Sequence, residues 1–216
     1  MKPLAIVTDV HGCFETLMAL LDKLPDSREV ILGGDLIDRG PRSDLVLLWA
    51  KQNDVRCVMG NHEHMMLYHY GKVKSRIYDT RQIWQYNGGG DGMPMFDDGI
   101  PPDVLNWVAN LPLDIRESDL EISHTGYSKV EPKSDMALWM RHGHDCDHLP
   151  DDGVFRVFGH MQRKEPWITD KFAMIDTGCA YPKYGNLTAF LWPEKEFITQ
   201  ANCENKSSAL THICQG

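Results

Sequence analysis

Short apolar runs and helical stripes alternate along the first sixty residues of this chain. L-A-I-V at positions 4–7 is wholly apolar and stops just before Asp9, the pattern of a buried strand. Phe14, Leu17, Met18 and Leu21 then recur at the i, i+3, i+4, i+7 spacing of one helix face, and Pro25 closes that helix. E-V-I-L runs into Gly33 and Gly34, and a second helix is predicted from Ser43, carrying Leu45, Leu48 and Trp49. V-R-C-V-M leads to Gly60, with a third helix expected from His62 onward. Three strand–loop–helix units in succession predict parallel strands with helices packed on them. In such sheets ligands collect beyond the carboxyl ends of the strands. The polar loops of this chain fall at those ends.

The pattern changes after the third unit. Residues 65–112 carry Trp84, N-G-G-G-D-G, the Pro101-Pro102 pair and a predicted helix from Asp103 to Asn110. This stretch reads as a helical and loop insertion flanking the site. Downstream, L-D-I-R-E, L-E-I-S, V-F-R-V-F, F-A-M-I, N-L-T-A-F-L-W and E-F-I-T are strand-like and separated by turn residues. They predict a second sheet packed on the first. Residues 1–200 are expected to form a single domain, and 201–216 a polar tail that frays.

Composition narrows the function classes. The 216 residues, 42% of them hydrophobic, suffice for one full core. A net charge of −9 speaks against a nucleic-acid-binding surface. No apolar run approaches the roughly eighteen residues of a membrane span. The first residues turn acidic too early for a secretory leader. The six cysteines form no C-x-x-C and read as free thiols of a reducing compartment. A cytoplasmic protein without nucleic-acid or membrane partners is expected.

The loops hold the candidate chemistry. T-D-V-H-G supplies Asp9 and His11, and G-G-D-L-I-D-R-G supplies Asp35 with Asp38 and Arg39 behind it. G-N-H-E supplies Asn61 with His62, S-H-T-G supplies His124, and F-G-H-M supplies His160. Oxygen and imidazole ligands of this kind suit divalent Mn, Fe or Zn. Six ligands are too many for one four-coordinate site. Two metals sharing a carboxylate would use them all, and Asp35 is the natural bridge. Such a pair, roughly 3.5–4 Å apart, directs a bridging hydroxide at a phosphoryl group. His62 follows a ligand without being spent as one, which suits a general acid. Asp38 is a candidate to accept from its ring and raise its pKa. Arg39 can fork onto phosphate oxygens.

Other polar residues have plainer readings. Asp176 in I-D-T-G is expected to be a turn residue. R-H-G-H-D-C-D-H at 141–148 resembles a zinc site, but its alternating acids favour a solvated loop. His64, His69 and His212 are expected as packing or surface residues, and Met59, Met65 and Met66 as core. Cys13 is expected to be buried near the site and not to act as a nucleophile.

The set D-x-H-G, G-D-x-x-D-R-G, G-N-H-E, H-x-G and G-H, in this order, resembles the PPP-type metallophosphoesterases. Within them it is most similar to bacterial and bacteriophage-lambda-type serine/threonine protein phosphatases. W-x-x-N-G-G at 84–89, L-W-x-R at 138–141, and I-D-T-G followed by G-N-L-T between 175 and 188 add weaker matches. The resemblance implies an α/β, calcineurin-like fold of two mixed β-sheets packed face to face with flanking helices. It implies that Asp9, His11 and Asp35 hold one metal, and Asp35, Asn61, His124 and His160 the other. It implies His62 as general acid oriented by Asp38, and Arg39 and Arg141 on the substrate phosphate. The implied cofactors are two divalent ions, Mn first, with Fe, Zn or Co also compatible. The implied activity is phosphomonoester hydrolysis, with phosphoserine and phosphothreonine proteins or peptides first, then phosphotyrosine and small phosphate esters. One alternative is a symmetrical dinucleoside tetraphosphate hydrolase, disfavoured because the chain has little length to spare for a nucleotide pocket. Another, of a different class, is a catalytically inactive binding module on the same fold. Two positions depart from the family pattern: Thr8 where Gly is usual, and Met161 where Thr is common.

Overall fold

A computed structural model of the chain describes residues 2–75, 80–90, 92–126, 135–141, 149–181 and 185–204. The three predicted units are present: β1 (Leu4–Val7) and α1 (Phe14–Leu21), β2 (Glu29–Leu32) and α2 (Ser43–Gln52), β3 (Arg56–Cys57) and α3 (Asn61–His69). Between α3 and the next strand lie α4 (Thr80–Tyr86) and α5 (Pro102–Ala109). The remaining strands are β4 (Asp114–Glu117), β5 (Leu120–Ser123), β6 (Phe155–Phe158), β7 (Trp167–Ile168), β8 (Phe172–Met174), β9 (Asn186–Trp192) and β10 (Glu196–Ala201).

Among the described residues these strands form two five-stranded mixed sheets, ordered β10-β9-β1-β2-β3 and β4-β5-β6-β8-β7. β1, β2 and β3 are parallel, as are β5, β6 and β8. The grouping of β9 and β10 differs from the sequence expectation, which placed every downstream strand in a second sheet. β9 instead pairs antiparallel with the free edge of β1, Val7 opposite Ala189 and Leu4 opposite Trp192. The physical reason is burial on both faces. Six of the seven residues of β9 are buried, and only a central strand between two covered faces satisfies such a run. Phe190 and Trp192 point into the inter-sheet core with Leu4, Ile6, Ile122, Phe155 and Val157. Leu187 and Ala189 face the helical layer with Val7, Leu17, Leu47 and Val108. The Phe155 and Phe190 rings stack across the two sheets, 5.6 Å apart and inclined by 7°.

α2 also differs in detail. Its buried face is Val46, Leu47 and Ala50, while Leu45, Leu48 and Trp49 are half-buried on its flank. The two-residue β7 was not anticipated; it is too short to carry a period. Residues just beyond β10 are tied to α1, where Glu204 Oε1 accepts the Thr16 N–H at 2.9 Å. Among the described residues no helix is long and apolar enough to cross a membrane.

Candidate metal centre

The loops after β1, β2, β3, β5, β6 and β8 converge at one edge of the two sheets. Their backbones are strained where the candidate residues sit. Asp9 (φ 54°), His11 (46°), Asp35 (53°), Asp38 (71°), Arg39 (69°) and His160 (64°) all occupy the left-handed region. Each such position costs a non-glycine residue on the order of 1–3 kcal/mol and persists only when its surroundings hold it. The family-atypical Thr8 is accommodated by two glycines. A Cβ on Gly33 would stand 2.4 Å from the Thr8 methyl, and one on Gly159 would stand 2.4 Å from its hydroxyl.

Two triads of ligand atoms share one residue. His11, Asp35 and His62 lie within 4.8 Å of one another, and so do Asp35, His124 and His160. Asp35 Oδ2 is 3.6 Å from His11 Nε2 and 3.8 Å from His62 Nε2, whereas Oδ1 is 3.4 Å from His124 Nε2. One carboxylate thus presents one oxygen to each triad. Asn61 Oδ1 joins the second triad, 3.0 Å from His124 Nε2 and 3.1 Å from His160 Nδ1. Asp9 stands beside both triads, its carboxylate accepting the His160 N–H at 3.1 Å.

The donor chemistry fits divalent cations. His124 donates Nδ1–H to Gly33 O at 3.1 Å, and His11 donates Nδ1–H to Ile37 O at 2.9 Å. Those bonds fix the tautomers and leave both Nε2 lone pairs facing inward. His124 Nε2 and Asn61 Oδ1 therefore meet as two acceptors, an arrangement that a hydrogen bond does not resolve and a cation does. Burial keeps the rings neutral, as ligation requires. It pushes His124 down to about 4, and pushes His160 down to about 2 with help from His124 and Arg141. Burial also raises Asp9, with repulsion from Asp176 and Asp35 adding, and raises Asp35, with Glu63 adding. Clustered buried carboxylates of this kind call for positive charge.

His62 Nδ1 and Asp38 Oδ2 are 2.6 Å apart, so the expected pair is in place. The expected rise in the His62 pKa is reversed. Burial, then the charges of His11 and Arg39, disfavour the imidazolium and lower it. Burial pushes the Asp38 carboxyl up to about 9 instead. Both shifts favour the form with the shared proton on the carboxyl over the form with it on the ring. The first form holds as many protons as a carboxylate beside an imidazolium, so one transferable proton remains.

Two residues given no role from sequence support these groups. Glu63 is fully buried, and its carboxylate accepts N–H bonds from Asp35 (2.9 Å), Leu36 (2.8 Å) and Gly60 (2.9 Å). It is the third residue of α3, and its bond to Gly60 is half of a capping box. That N-cap-plus-three position was the sequence signal available for it. Trp84, also buried, donates Nε1–H to Asp38 Oδ2 at 2.8 Å. No local pattern connects those two positions.

A cleft of about 300 Å³ opens onto the centre, lined by His11, Arg39, Arg141, His160, Asp176 and Tyr181 among others. Arg39 reaches His11 Nε2 at 2.5 Å and His62 Nε2 at 3.1 Å. Arg141 is exposed in the same cleft. Asp176 makes the expected turn, accepting the Gly178 N–H at 2.8 Å, and forms part of the cleft wall besides. His64 is buried and His69 packs on Trp84, in keeping with packing roles. Met59, Met65 and Met66 lie in the core, and Cys13 is buried beside His11 with its thiol free. The 142–148 stretch and His212 lie outside the described residues.

Comparison with known proteins agrees with this geometry. The profile of the calcineurin-like phosphoesterases matches residues 2–191. A symmetrical bis(5'-nucleosyl)-tetraphosphatase of Salmonella paratyphi C is 32% identical over 139 residues, covering 61% of this chain and 44% of that protein. The chain therefore matches less than half the length of that relative. The asymmetrical bis(5'-nucleosyl)-tetraphosphatase PrpE of Bacillus velezensis is 26% identical over 240 residues, with 90% of each chain covered. A solved structure named as a candidate diadenosine tetraphosphatase shares the fold, with a TM-score of 0.69 at 22% identity, covering 94% of this chain and 95% of that one. With two triads of candidate ligand atoms built around one aspartate, and a match running from the first strand almost to the end of β9, the chain belongs to the calcineurin-like phosphoesterase family.

Proposed function

We infer that the chain is a phosphoesterase working with two metal ions, held by Asp9, His11, Asp35, Asn61, His124 and His160. The observation that carries this reading is Asp35, whose two oxygens face different triads and which would be the shared ligand. When bound, the ions supply the Lewis acidity that polarises a phosphoryl oxygen and activates water. Mn, Fe, Zn and Co all accept this donor set.

The protein's own groups do the rest. Arg39 and Arg141 flank the cleft and orient the phosphate through forked N–H bonds. Arg39 exchanges its bond to His11 Nε2 for the stronger anionic partner when phosphate enters. The Asp38–His62 couple then protonates the leaving oxygen. The His62 Nε2 proton goes to that oxygen, Nδ1 takes the carboxyl proton, and Asp38 is left as carboxylate. Trp84 holds the Asp38 oxygen that faces the ring.

Dinucleoside polyphosphates are the first substrate class. The support is the names of the relatives, one of them aligned across 90% of both chains. That relative is asymmetrical and matches this chain in length, whereas the objection from chain length concerns the symmetrical hydrolases, of which the match covers 44% in one case. Phosphoserine and phosphothreonine remain a second reading, favoured by the Asp38–His62 couple. A serine alkoxide needs a proton as it leaves, whereas a nucleotide phosphate is a weak base and needs little help. Stripping the metal, restoring single ions, and comparing kcat/KM for diadenosine tetraphosphate, a phosphoserine peptide and p-nitrophenyl phosphate separates the two. A clear peptide preference would reverse the order. No turnover of any substrate with any ion would leave a binding module.

A further inference from the structure

The cleft continues past the proposed metal ligands. Gln162 lines it and also lines a second, open depression of about 620 Å³, walled by Arg163, Lys164, Pro166 and Trp167. The two are joined covalently as well as spatially, because this segment begins immediately after His160. Arg163 donates its backbone N–H to Asp176 O at 2.9 Å, and Asp176 is a wall of the first cleft. Movement of one depression relative to the other would break that bond.

The second depression carries two cations, Arg163 and Lys164, against one carboxylate, Glu165. The Arg163 guanidinium sits 4.7 Å above the Trp167 ring. Trp167 in turn packs edge-on against Phe172 of β8 at 4.8 Å, so the platform is anchored in the sheet. A cation over an aromatic ring is held there while its N–H groups stay available to an anion. Neither Arg163 nor Lys164 makes an ion pair among the described residues, and the same holds for Arg39 and Arg141. Glu165 lines the depression too but pairs with neither cation. Among the described residues, four cations without carboxylate partners thus follow one path, in a chain with 31 acidic and 22 basic residues. A single phosphate occupies only the first part of that path.

We propose that the Gln162–Trp167 turn is a second anion subsite that takes the distal phosphates of a polyphosphate chain. Arg39 and Arg141 hold the phosphoryl group being cleaved, and Arg163 holds a phosphate further along. The inference rests on the phosphoesterase reading and specifies its substrate class as anhydride chains. A nucleoside-capped and an inorganic polyphosphate present the same oxygens to the fork, and the test below distinguishes them.

The test uses the metal-loaded protein with p-nitrophenyl phosphate as reporter, free metal held constant. Inhibition by orthophosphate and by inorganic tripolyphosphate is measured for wild type, Arg163→Ala and Arg163→Lys. Wild type is expected to prefer tripolyphosphate. Arg163→Ala should reduce that preference about tenfold, the loss of one charged hydrogen-bonding partner. Arg163→Lys should fall between, keeping the charge but not the fork. The kcat/KM ratio of diadenosine tetraphosphate to p-nitrophenyl phosphate should drop by a similar factor in Arg163→Ala. If wild type ignores diadenosine tetraphosphate while Arg163→Ala still loses the tripolyphosphate preference, the subsite stands for an inorganic chain and the nucleotide reading falls. Three results overturn the subsite: no tripolyphosphate preference in wild type, equal changes for both inhibitors, or a selective loss on a phosphoserine peptide with the inhibitor ratio intact.

Discussion

Glu63→Gln probes what holds the shared aspartate in place. In the wild-type chain Oε2 accepts the Asp35 and Gly60 N–H groups and Oε1 accepts that of Leu36. Glutamine has nearly the same shape but only one oxygen. In its better orientation it serves Asp35 and Gly60 and turns its NH2 toward the Leu36 N–H. One buried donor then lacks an acceptor, costing about 1–3 kcal/mol. The other two bonds lose their ionic character, which roughly halves each and adds about 1 kcal/mol. The sum, about 2–4 kcal/mol, is below the 5–15 kcal/mol stability typical of a folded domain. The variant should therefore fold. Its damage is local, because Asp35 sits at φ 53° and needs its N–H held to stay there. Affinity for both metal ions should fall about 10–100-fold, as for other groups that orient ligands. Urea unfolding with chelator present gives the first quantity, and competition with a metal-binding dye gives the second. A variant that loses stability but binds both ions with wild-type affinity would show that Glu63 is a helix cap only, and the positioning argument would fail.

Asp35→Asn should weaken both metal sites together and abolish turnover with little change in circular dichroism. Two tightly bound ions with normal activity would remove Asp35 from the shared position. His62→Asn should keep both ions, lose about 10²–10⁴ in rate on a phosphoserine peptide, and lose distinctly less on p-nitrophenyl phosphate, whose leaving group needs no proton. Equal losses on the two substrates would end the general-acid assignment. Trp84→Phe keeps the buried ring but removes the donor to Asp38, so it should cost about 1 kcal/mol of stability, shift the pH profile of kcat, and show the His62 leaving-group pattern more mildly. A stability loss with an unmoved pH profile would leave Trp84 a purely structural residue.

The strands and the loops that carry the candidate ligands could be read from sequence because both are local signals. An apolar run of four residues announces β1 or β2, and the polar residue just beyond it belongs to the loop at that strand's end. Pairing is not local. Val7 meets Ala189, and nothing in either segment names the other, so the sheet to which β9 belongs could not be read. The same limit applies inside the site. Glu63 acts on Asp35 across 28 positions and Trp84 acts on Asp38 across 46, and the local motifs that hold Glu63 and Trp84 do not name those partners. The proton affinity of His62 departs from the sequence expectation for a related reason. Its partner was identifiable, but the burial and flanking charges that outweigh that partner belong to the assembled pocket.

One signal at the site runs against local propensity, and it explains why these particular loops need so much support. Asp9, His11, Asp35, Asp38, Arg39 and His160 occupy backbone conformations that glycine would adopt at less cost. A chain selected only to fold would place glycine there, and it does place glycines beside them, at Gly12 and Gly34. Four of the strained positions, Asp9, His11, Asp35 and His160, carry proposed ligands, and the other two carry the partner of His62 and a cleft cation. The strain is held by bonds from neighbouring loops: Asp9 N to Gly34 O at 3.0 Å, His11 N to Asp35 O at 2.9 Å, and Asp35 N to Glu63. Each loop's distortion is thus maintained by the next. A substitution that loosens one loop should therefore reach ligands on the others, so metal affinity rather than fold is the sensitive measure of damage here.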